Sequence, residues 1–172
     1  MNPILEVPHY QQSAEGYCLP ACARMVLAYL GLERTEAEIA KVLGTREFGT
    51  PGFAIQRLRS WGLQVDFGTW TETELLSALA AKQPVIAFVK TGFLDYWQED
   101  FAHAIVVVGA SSDQQFWVND PDRSQAPLMV SLNGLWAAWG EFSYQGAVLK
   151  LQRPNRLVRF LRRFFFNSKE QD

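Results

Sequence analysis

Apolar residues are spaced as in amphipathic helices through most of the first half of the chain. The stretch "LPACARMVLAYLG" has a proline in its first turn and a glycine at its end, as many helices do. Thr35 and Glu38 have the spacing of a capping box. With the glycine and proline stop signals, these patterns predict helices at residues 19–31, 35–44, 51–62 and 71–83, and a strand at 63–70.

The pattern changes after Pro84, where short apolar runs rich in β-branched and aromatic residues replace the helical spacing. The runs "PVIAFVK", "HAIVVVGA", "QQFWVND" and "QGAVLKLQ" predict strands, and "SLNGLWAAWGEF" predicts a short helix before the last of them. Helices therefore come mostly first and strands mostly last. This order is typical of an α+β fold and not of a doubly wound parallel sheet.

Length and composition fit one domain with a substantial core, because the 172 residues are 48% hydrophobic and 13% aromatic. The formal net charge of −2 gives no reason to expect nucleic acid as a partner. The charge is uneven, since residues 153–172 carry six Lys/Arg and two Asp/Glu (net +4) and the preceding residues carry −6. No signal peptide and no apolar run of about 18 residues is recognisable, so we expect a cytoplasmic protein.

One of the two cysteines stands where a polar loop meets the first predicted helix, in "QQSAEGYCLPACARMVLAYLG". Backbone N–H groups and the positive end of the helix dipole favour the thiolate of Cys18 there, and the thiolate is the nucleophilic form. A small buried hydrophobic residue is the alternative, since free cysteines are commonly buried. Position alone leaves both interpretations open.

A nucleophilic thiolate needs a base, and the base needs an orienting group. Of the two histidines, His9 lies in an extended N-terminal segment and His103 opens the apolar run "HAIVVVGA". A hairpin would bring "WVNDP" back beside this run, and strand alternation lets only one of Asn119 and Asp120 face the histidine. We favour Asp120, although a core histidine and an Asp-Pro turn would explain the same residues.

An acyl-transfer site also needs hydrogen-bond donors for the developing oxyanion. The backbone N–H of the cysteine is one candidate donor, and a glutamine side chain just upstream is a candidate for the second. Gln12 lies six residues before Cys18, and Gln11 lies seven before it.

Together these residues resemble the papain-like cysteine peptidases of the bacteriocin-processing, double-glycine-leader family, especially its stand-alone relatives. The matching stretches are "VPHYQQSAEGYCLPACARMVLAYLG", "GTPGFAIQRLRSWGLQV", "YWQEDFAHAIVVVGA" and "FWVNDP", and they cover most of residues 4–151. The resemblance implies a papain-like α+β fold, in which a helical N-terminal half packs on a mostly antiparallel β-sheet across a cleft. It assigns the peptidase domain to residues 1–152 and leaves residues 153–172 as a basic amphipathic tail.

The resemblance also implies hydrolysis of amide bonds in a peptide or protein substrate, with no cofactor and no metal. Cys18 corresponds to the nucleophile, with His103 as the base and Asp120 as the orienting group. Gln12 corresponds to the oxyanion donor. The family usually has glycine directly after the nucleophile, and a leucine there would crowd the cleft or change substrate preference. The expected substrate contacts flank the nucleophile or precede the histidine: Tyr17, Leu19, Tyr96 and Trp97.

Other interpretations stay open on the sequence alone. Cys18 and Cys22 with a histidine would make part of a metal site, although structural zinc sites usually have four clear ligands. The same Cys-His-Asp set serves acyltransferases and amidases, and a non-catalytic peptide-binding module on this fold would accommodate Leu19. The tail 153–172 either packs on the body or contacts an anionic membrane or a partner. The sequence does not give the oligomeric state.

Overall fold

Four α-helices and two 3₁₀ helices are present in residues 4–152, the part of the chain that the computed structural model describes. The helices are α1 (Cys18–Tyr29), α2 (Glu36–Leu43), α3 (Glu72–Ala80) and α4 (Leu132–Gly140), with 3₁₀ helices at Gly52–Trp61 and Thr91–Phe93. None of the helices in this range is both long enough and apolar enough to cross a membrane. The predicted basic tail at 153–172 lies outside the described residues.

Helix ends are confirmed where the sequence holds capping signals. The Thr35 side chain accepts a hydrogen bond from the Glu38 backbone, and the Glu38 side chain accepts one from the Thr35 backbone. Gly44 then ends α2 in the left-handed conformation, with φ of 70°. The helix predicted at 51–62 is confirmed at Gly52–Trp61. It is a 3₁₀ helix, and its buried residues Ile55 and Leu58 have the three-residue spacing of that helix.

Six strands form one antiparallel sheet in the order β1-β6-β2-β3-β4-β5. The strands are β1 (Leu63–Thr69), β2 (Val85–Lys90), β3 (Ala102–Ala110), β4 (Gln115–Asn119), β5 (Leu128–Ser131) and β6 (Gln145–Leu151). Strand β5 is missing from the predicted elements because it is a four-residue edge strand with one fully buried position, which leaves a weak apolar pattern. The predicted α+β fold is confirmed.

Helix α1 packs on β3, and this packing determines which side chains meet at the cleft. All residues of β3 after Ala102 are buried, which explains the continuous apolar run in the sequence. The Cys22 thiol donates a hydrogen bond to the backbone oxygen of Ala104 at 3.2 Å. The contact joins the second turn of α1 to the beginning of β3. The residues at the start of both elements therefore border the same cleft.

Candidate active site

Cys18 is the first residue of α1, one position before the predicted start of the helix. Its backbone N–H and those that follow it have no partner within the helix, so the positive end of the helix dipole lies at this residue. Cys18 is half-buried and lines the cleft. Tyr17 precedes it as the N-cap residue and makes no side-chain capping bond. The position therefore combines access from the cleft with a backbone that favours an anion.

The loop that leads into α1 requires a glycine two residues before Cys18. Gly16 has a φ of 77°, and a Cβ added there would lie 2.8 Å from the backbone nitrogen of Gly49. A tight turn joins Arg46 to Gly49 through two backbone hydrogen bonds. Since this turn packs directly against Gly16, it forms one wall of the cleft beside Cys18.

His103 and Asp120 form a buried pair opposite the start of α1. The His103 Nε2 atom lies 2.8 Å from Asp120 Oδ1, and the two side chains are 6% and 0% exposed. His103 is the second residue of β3 and Asp120 directly follows β4, so the antiparallel pairing of these strands brings the two together. Asn119 points elsewhere, since its Nδ2 donates to the Val7 backbone oxygen at 3.0 Å. Asp120 is thus the one of the two residues that contacts the histidine.

The environment favours a protonated ring on His103 and an ionised carboxylate on Asp120. Burial alone would lower the pKa of His103, but hydrogen bonds to Asp120 and Cys18, and their charges, raise it to about 9. Burial alone would raise the pKa of Asp120, but the hydrogen bond and charge of His103 and the Trp97 hydrogen bond hold it below its usual range. At neutral pH the ring is therefore an imidazolium next to a carboxylate.

Both oxygens of Asp120 accept hydrogen bonds. Oδ1 accepts from the His103 ring and from the Asp122 backbone N–H at 2.9 Å. Oδ2 accepts from the Tyr96 hydroxyl at 3.0 Å and from the Trp97 indole N–H at 2.9 Å. The carboxylate is thus fully hydrogen-bonded although it is buried, which is the condition for a stable buried charge.

The residues expected to contact substrate lie in different environments. Trp97 lines the cleft, while the Tyr96 hydroxyl is bound to Asp120. Leu19 borders the cleft but is only 1% exposed, because its side chain joins the hydrophobic core. Tyr17 is half-buried and does not line the cleft. A role of these four residues in substrate binding stays a prediction.

Gln12 lies in the cleft with Cys18. Its backbone N–H donates to the Pro121 oxygen at 2.8 Å, so the loop that carries it is attached to the residue after Asp120. The Gln12 side-chain oxygen is buried and has no hydrogen-bond partner among the described residues. A polar side chain thus reaches the cleft without having its hydrogen-bonding capacity filled by the protein.

The cleft has a volume of about 1180 Å³ and is lined from both halves of the fold. Three phenylalanines on its lining are strongly exposed: Phe48 at 98%, Phe53 at 58% and Phe101 at 56%. Charged residues of both signs also line it, namely Glu15, Arg46, Glu47, Arg57, Glu99 and Asp122. The surface is large enough for an extended peptide and offers apolar as well as charged contacts.

Residues 4–147 match the model of the Peptidase_C39 like family. The chain belongs to this family. Among curated protein sequences, none matches the chain. Membership of the Peptidase_C39 like family and the papain-like fold support a peptidase function, and the family implies that the peptidase is of the cysteine type.

Solved structures of C39 peptidases share the fold at low sequence identity. A Bacillus anthracis protein described as a C39-like peptidase has a TM-score of 0.72 and 15% identity, covering 88% of this chain and 98% of its own. The peptidase domain of Streptococcus ComA, a bifunctional ABC transporter in a quorum-sensing pathway, has a TM-score of 0.70 and 20% identity, covering 86% and 100%. A double-glycine-motif protease from an AMS/PCAT transporter, solved with its leader peptide, has a TM-score of 0.67 and 16% identity, covering 88% and 96%.

Among the described residues of this C39-like chain, the cysteines and histidines are not arranged as a metal site. Within residues 4–152, no group of three or more His, Cys, Asp and Glu side chains is arranged to hold an ion. His9 Nε2 lies 2.8 Å from the backbone oxygen of Asp120. Cys22 is fully buried, and this burial, with the nearby charges of Cys18 and Asp120, raises the pKa of its thiol well above the usual range. His9 and Cys22 thus each have a hydrogen-bond partner in the protein backbone.

Arg123 is a residue at the site that sequence reasoning missed. Its guanidinium lies 3.7 Å from the centre of the Trp97 ring, and its Nε atom is buried without a hydrogen-bond partner among the described residues. The only sequence signal was its place three residues after Asp120, in the turn that the Asp-Pro step begins. No pattern in the sequence indicates that it stacks on a tryptophan 26 residues earlier in the chain.

Proposed function

We propose that this C39-like chain is a cysteine peptidase in which Cys18 is the nucleophile, His103 the general base and acid, and Asp120 the orienting group. One observation carries the proposal: the buried His103 ring is paired with the Asp120 carboxylate at the cleft that Cys18 also lines. Its Nε2 is 2.8 Å from Asp120 Oδ1, and Cys18 is among the groups that raise the pKa of the ring. An imidazole between a thiol and a buried carboxylate can hold the thiol as a thiolate and return a proton to a leaving group.

The orientation of the His103 ring determines how the acylation step proceeds. Since Nε2 of His103 faces Asp120, Nδ1 is the nitrogen available to Cys18. The thiolate attacks the carbonyl carbon of the peptide bond, and the C=O electron pair moves onto the oxygen. As this pair returns, the C–N bond breaks and Nδ1 gives its proton to the leaving amine. The product is a thioester on Cys18 with a neutral ring on His103.

Hydrolysis of the thioester uses the same two residues. The neutral Nδ1 of His103 takes a proton from a water molecule as the water oxygen attacks the thioester carbon. The tetrahedral intermediate collapses, expels the Cys18 thiolate and releases the carboxylic acid product. The ring is then protonated again, so the ion pair is restored. Asp120 stays ionised throughout and stabilises the positively charged His103 ring.

Gln12 is proposed to stabilise the oxyanion together with the backbone N–H of Cys18. Both residues line the cleft, and the Gln12 loop is fixed to Pro121 by a backbone hydrogen bond. We expect Gln12→Ala to lower kcat by about 10²–10³, because it removes one of the donors that face the developing negative charge. The measurement is the hydrolysis rate on a peptide that the wild-type protein cleaves.

The neighbouring glutamine provides the matched control. Gln11 is exposed and does not line the cleft, so Gln11→Ala should hydrolyse the peptide at the wild-type rate. Equal losses in the two variants, or no loss in Gln12→Ala, would remove Gln12 from the oxyanion site.

A peptide is the proposed substrate. The cleft exposes phenylalanines beside Cys18, as a site for apolar side chains would, and one structural relative was solved with a leader peptide. The Leu19 side chain does not argue for a non-catalytic module, because it is buried in the core and leaves the cleft open. Nothing in the lining favours nucleic acid, since acidic and basic residues are mixed.

The proposal assigns the peptidase domain to residues 1–152 and leaves the basic tail 153–172 outside it. The family match ends at residue 147, and the last strand of the sheet ends at Leu151. Both ends support a boundary just before the tail. The tail is proposed either to pack on the body or to contact an anionic membrane or a partner.

The reactivity of Cys18 tests the proposed ion pair without knowledge of the substrate. We expect iodoacetamide to alkylate the wild-type protein rapidly at pH 6, because the imidazolium of His103, with a pKa of about 9, holds a thiolate. An ordinary thiol is only about 0.3% thiolate at that pH, so His103→Ala should react about 100-fold more slowly. The rate constant is measured from pH 5 to 10 by mass spectrometry of the modified peptide.

Two variants make the alkylation result unambiguous. Cys22→Ala leaves Cys18 as the only cysteine, and it should react like the wild-type protein, since Cys22 is inaccessible. His9→Ala removes the other histidine and should not produce the loss seen in His103→Ala. Slow alkylation of the folded wild-type protein at pH 6 would contradict the proposed ion pair.

A further inference from the structure

We propose that Tyr96 and Trp97 are positioning residues that hold the Asp120 carboxylate in place and disperse its charge, and so set the proton affinity of His103. The inference rests on the proposed function and specifies how its base is controlled. It gives these two residues a role different from contact with substrate, for which the sequence suggested them. Neither has to touch the reacting atoms to act in this way.

The first argument is the hydrogen bonding of Asp120 Oδ2. Tyr96 Oη and Trp97 Nε1 donate to it at 3.0 and 2.9 Å, while His103 takes the other oxygen. An indole N–H can only donate. Burial, with the charge of Asp120, raises the pKa of Tyr96 well above its usual range, so its hydroxyl stays protonated. Two donors thus share the negative charge on the oxygen that His103 does not use.

The second argument is the rigidity of the loop that carries the two donors. Thr91 is fully buried and makes three hydrogen bonds across this loop, two with the backbone of Phe101 and one with the oxygen of Glu99. Within the loop, the Trp97 backbone N–H donates to the Leu94 oxygen at 3.0 Å. The loop is closed at its base, and the adjacent residues 96 and 97 reach the carboxylate together.

The third argument is the position of the Trp97 ring. It makes an edge-type contact with the His103 ring, at a centroid distance of 5.5 Å and an interplanar angle of 62°. The Arg123 guanidinium lies over its face at 3.7 Å. The ring is thus held between a cation and the imidazole, while it lines the cleft. It contacts the His103 ring and donates its N–H to the Asp120 carboxylate.

The expected direction of the effect follows from the charges around the pair. The titratable and charged groups that face it are Cys18 and Cys22 on α1, Tyr96 on the loop before β3, Asp122 and Arg123 in the turn after β4, and His9 from the N-terminal segment. Loss of a donor to Oδ2 leaves a less stabilised anion beside the ring. The protonated His103 ring partly neutralises this anion and the neutral ring does not. The protonated form is therefore favoured further, and the pKa of His103 should rise.

The test is a titration of His103 by NMR of the ring protons in folded full-length protein without substrate. The two histidine signals are assigned with His9→Gln. We expect Trp97→Phe and Tyr96→Phe each to move the His103 midpoint upward by about 1 to 2 on the pH scale, since hydrogen bonds to charged groups have about that strength. The double variant should move it further.

Matched controls separate charge effects from structural damage. Tyr29→Phe removes a tyrosine hydroxyl bonded to the Lys82 backbone oxygen, and Trp61→Phe alters another tryptophan with an arginine over its ring. Both lie away from the cleft lining and should leave the midpoint unchanged. Urea unfolding of each variant shows whether the fold is retained. If Trp97→Phe does not fold, the proposal is tested with Tyr96→Phe alone.

A midpoint that stays at the wild-type value, or falls, in both folded variants overturns the proposal. If Tyr96 and Trp97 had only a structural role, their replacement would lower the free energy of unfolding without moving the His103 titration midpoint. This outcome is distinct from failure of the proposed function, which is read from Cys18 alkylation. If the midpoint moves as expected while Cys18 is unreactive, the positioning role holds and the peptidase chemistry does not.

Discussion

Replacement of Cys18 by alanine is expected to abolish peptide hydrolysis while leaving the fold intact. Without the sulfur no thioester forms, and in other enzymes with a nucleophile–histidine pair such a loss costs about 10⁶ in kcat. Cys18 is only half-buried, so the free energy of unfolding should change by less than about 1 kcal/mol. The activity is measured on a library of peptides from a digested proteome, with new termini identified by mass spectrometry.

The second cysteine provides the comparison for this experiment. Cys22 lies one helical turn later and is buried under β3, so Cys22→Ala should cleave the same peptides as the wild-type protein. Any cleavage by Cys18→Ala at the wild-type rate would exclude a cysteine mechanism. Cleavage lost equally in both variants would indicate damage to α1 rather than loss of the nucleophile.

The second large effect is expected for Asp120→Asn, which should lower kcat by about 10³–10⁴ although it changes a single atom. The geometry explains why the near-isosteric amide fails. The NH₂ group of the asparagine must replace either Oδ2 or Oδ1, and both oxygens accept hydrogen bonds from N–H donors. In place of Oδ2 it would face the Trp97 N–H, and in place of Oδ1 it would face the Asp122 N–H, neither of which can accept a hydrogen bond. The variant therefore loses hydrogen bonds as well as the charge that supports the His103 imidazolium.

The pH dependence distinguishes this mechanism from a local distortion. Without the Asp120 charge and hydrogen bond, the pKa of His103 should fall from about 9, since burial then dominates. The alkylation of Cys18 at pH 6 should become slower for the same reason. Asp113 is exposed in the turn between β3 and β4. The same replacement there, Asp113→Asn, should change neither the pKa of His103 nor the alkylation of Cys18. Alkylation of Cys18 at the wild-type rate at pH 6 in folded Asp120→Asn would exclude Asp120 as the orienting group.

Much of the fold could be predicted because local signals agreed with the tertiary structure. The Thr71–Glu74 capping box starts α3, as the Thr35–Glu38 box starts α2. The run "HAIVVVGA" is buried along β3 because the strand lies inside the sheet and under α1. Strand β5 was not predictable in the same way, since Met129 is 48% exposed and its edge position depends on pairing with β4.

The candidate site was predictable only where sequence order carries the information. The cysteine at a helix start and the histidine at a strand start indicate their chemistry locally, and the Asp-Pro step follows a strand. The contacts of Tyr96 and Trp97 with Asp120 depend on how a loop folds over the end of β4, which no periodicity records. The same holds for Arg123, whose stacking joins two loops that are separate in sequence.

The N-terminal segment has a consequence for when the site forms during synthesis. The backbone of Gln12 bonds to Pro121, His9 bonds to the backbone oxygen of Asp120, and Asn119 bonds to Val7. These contacts join residues more than 100 positions apart, so the segment of residues 7–12 cannot make them until strand β4 has been synthesised. A nascent chain that has not yet reached Asp120 lacks the proposed orienting group, so it cannot carry out the proposed chemistry on itself.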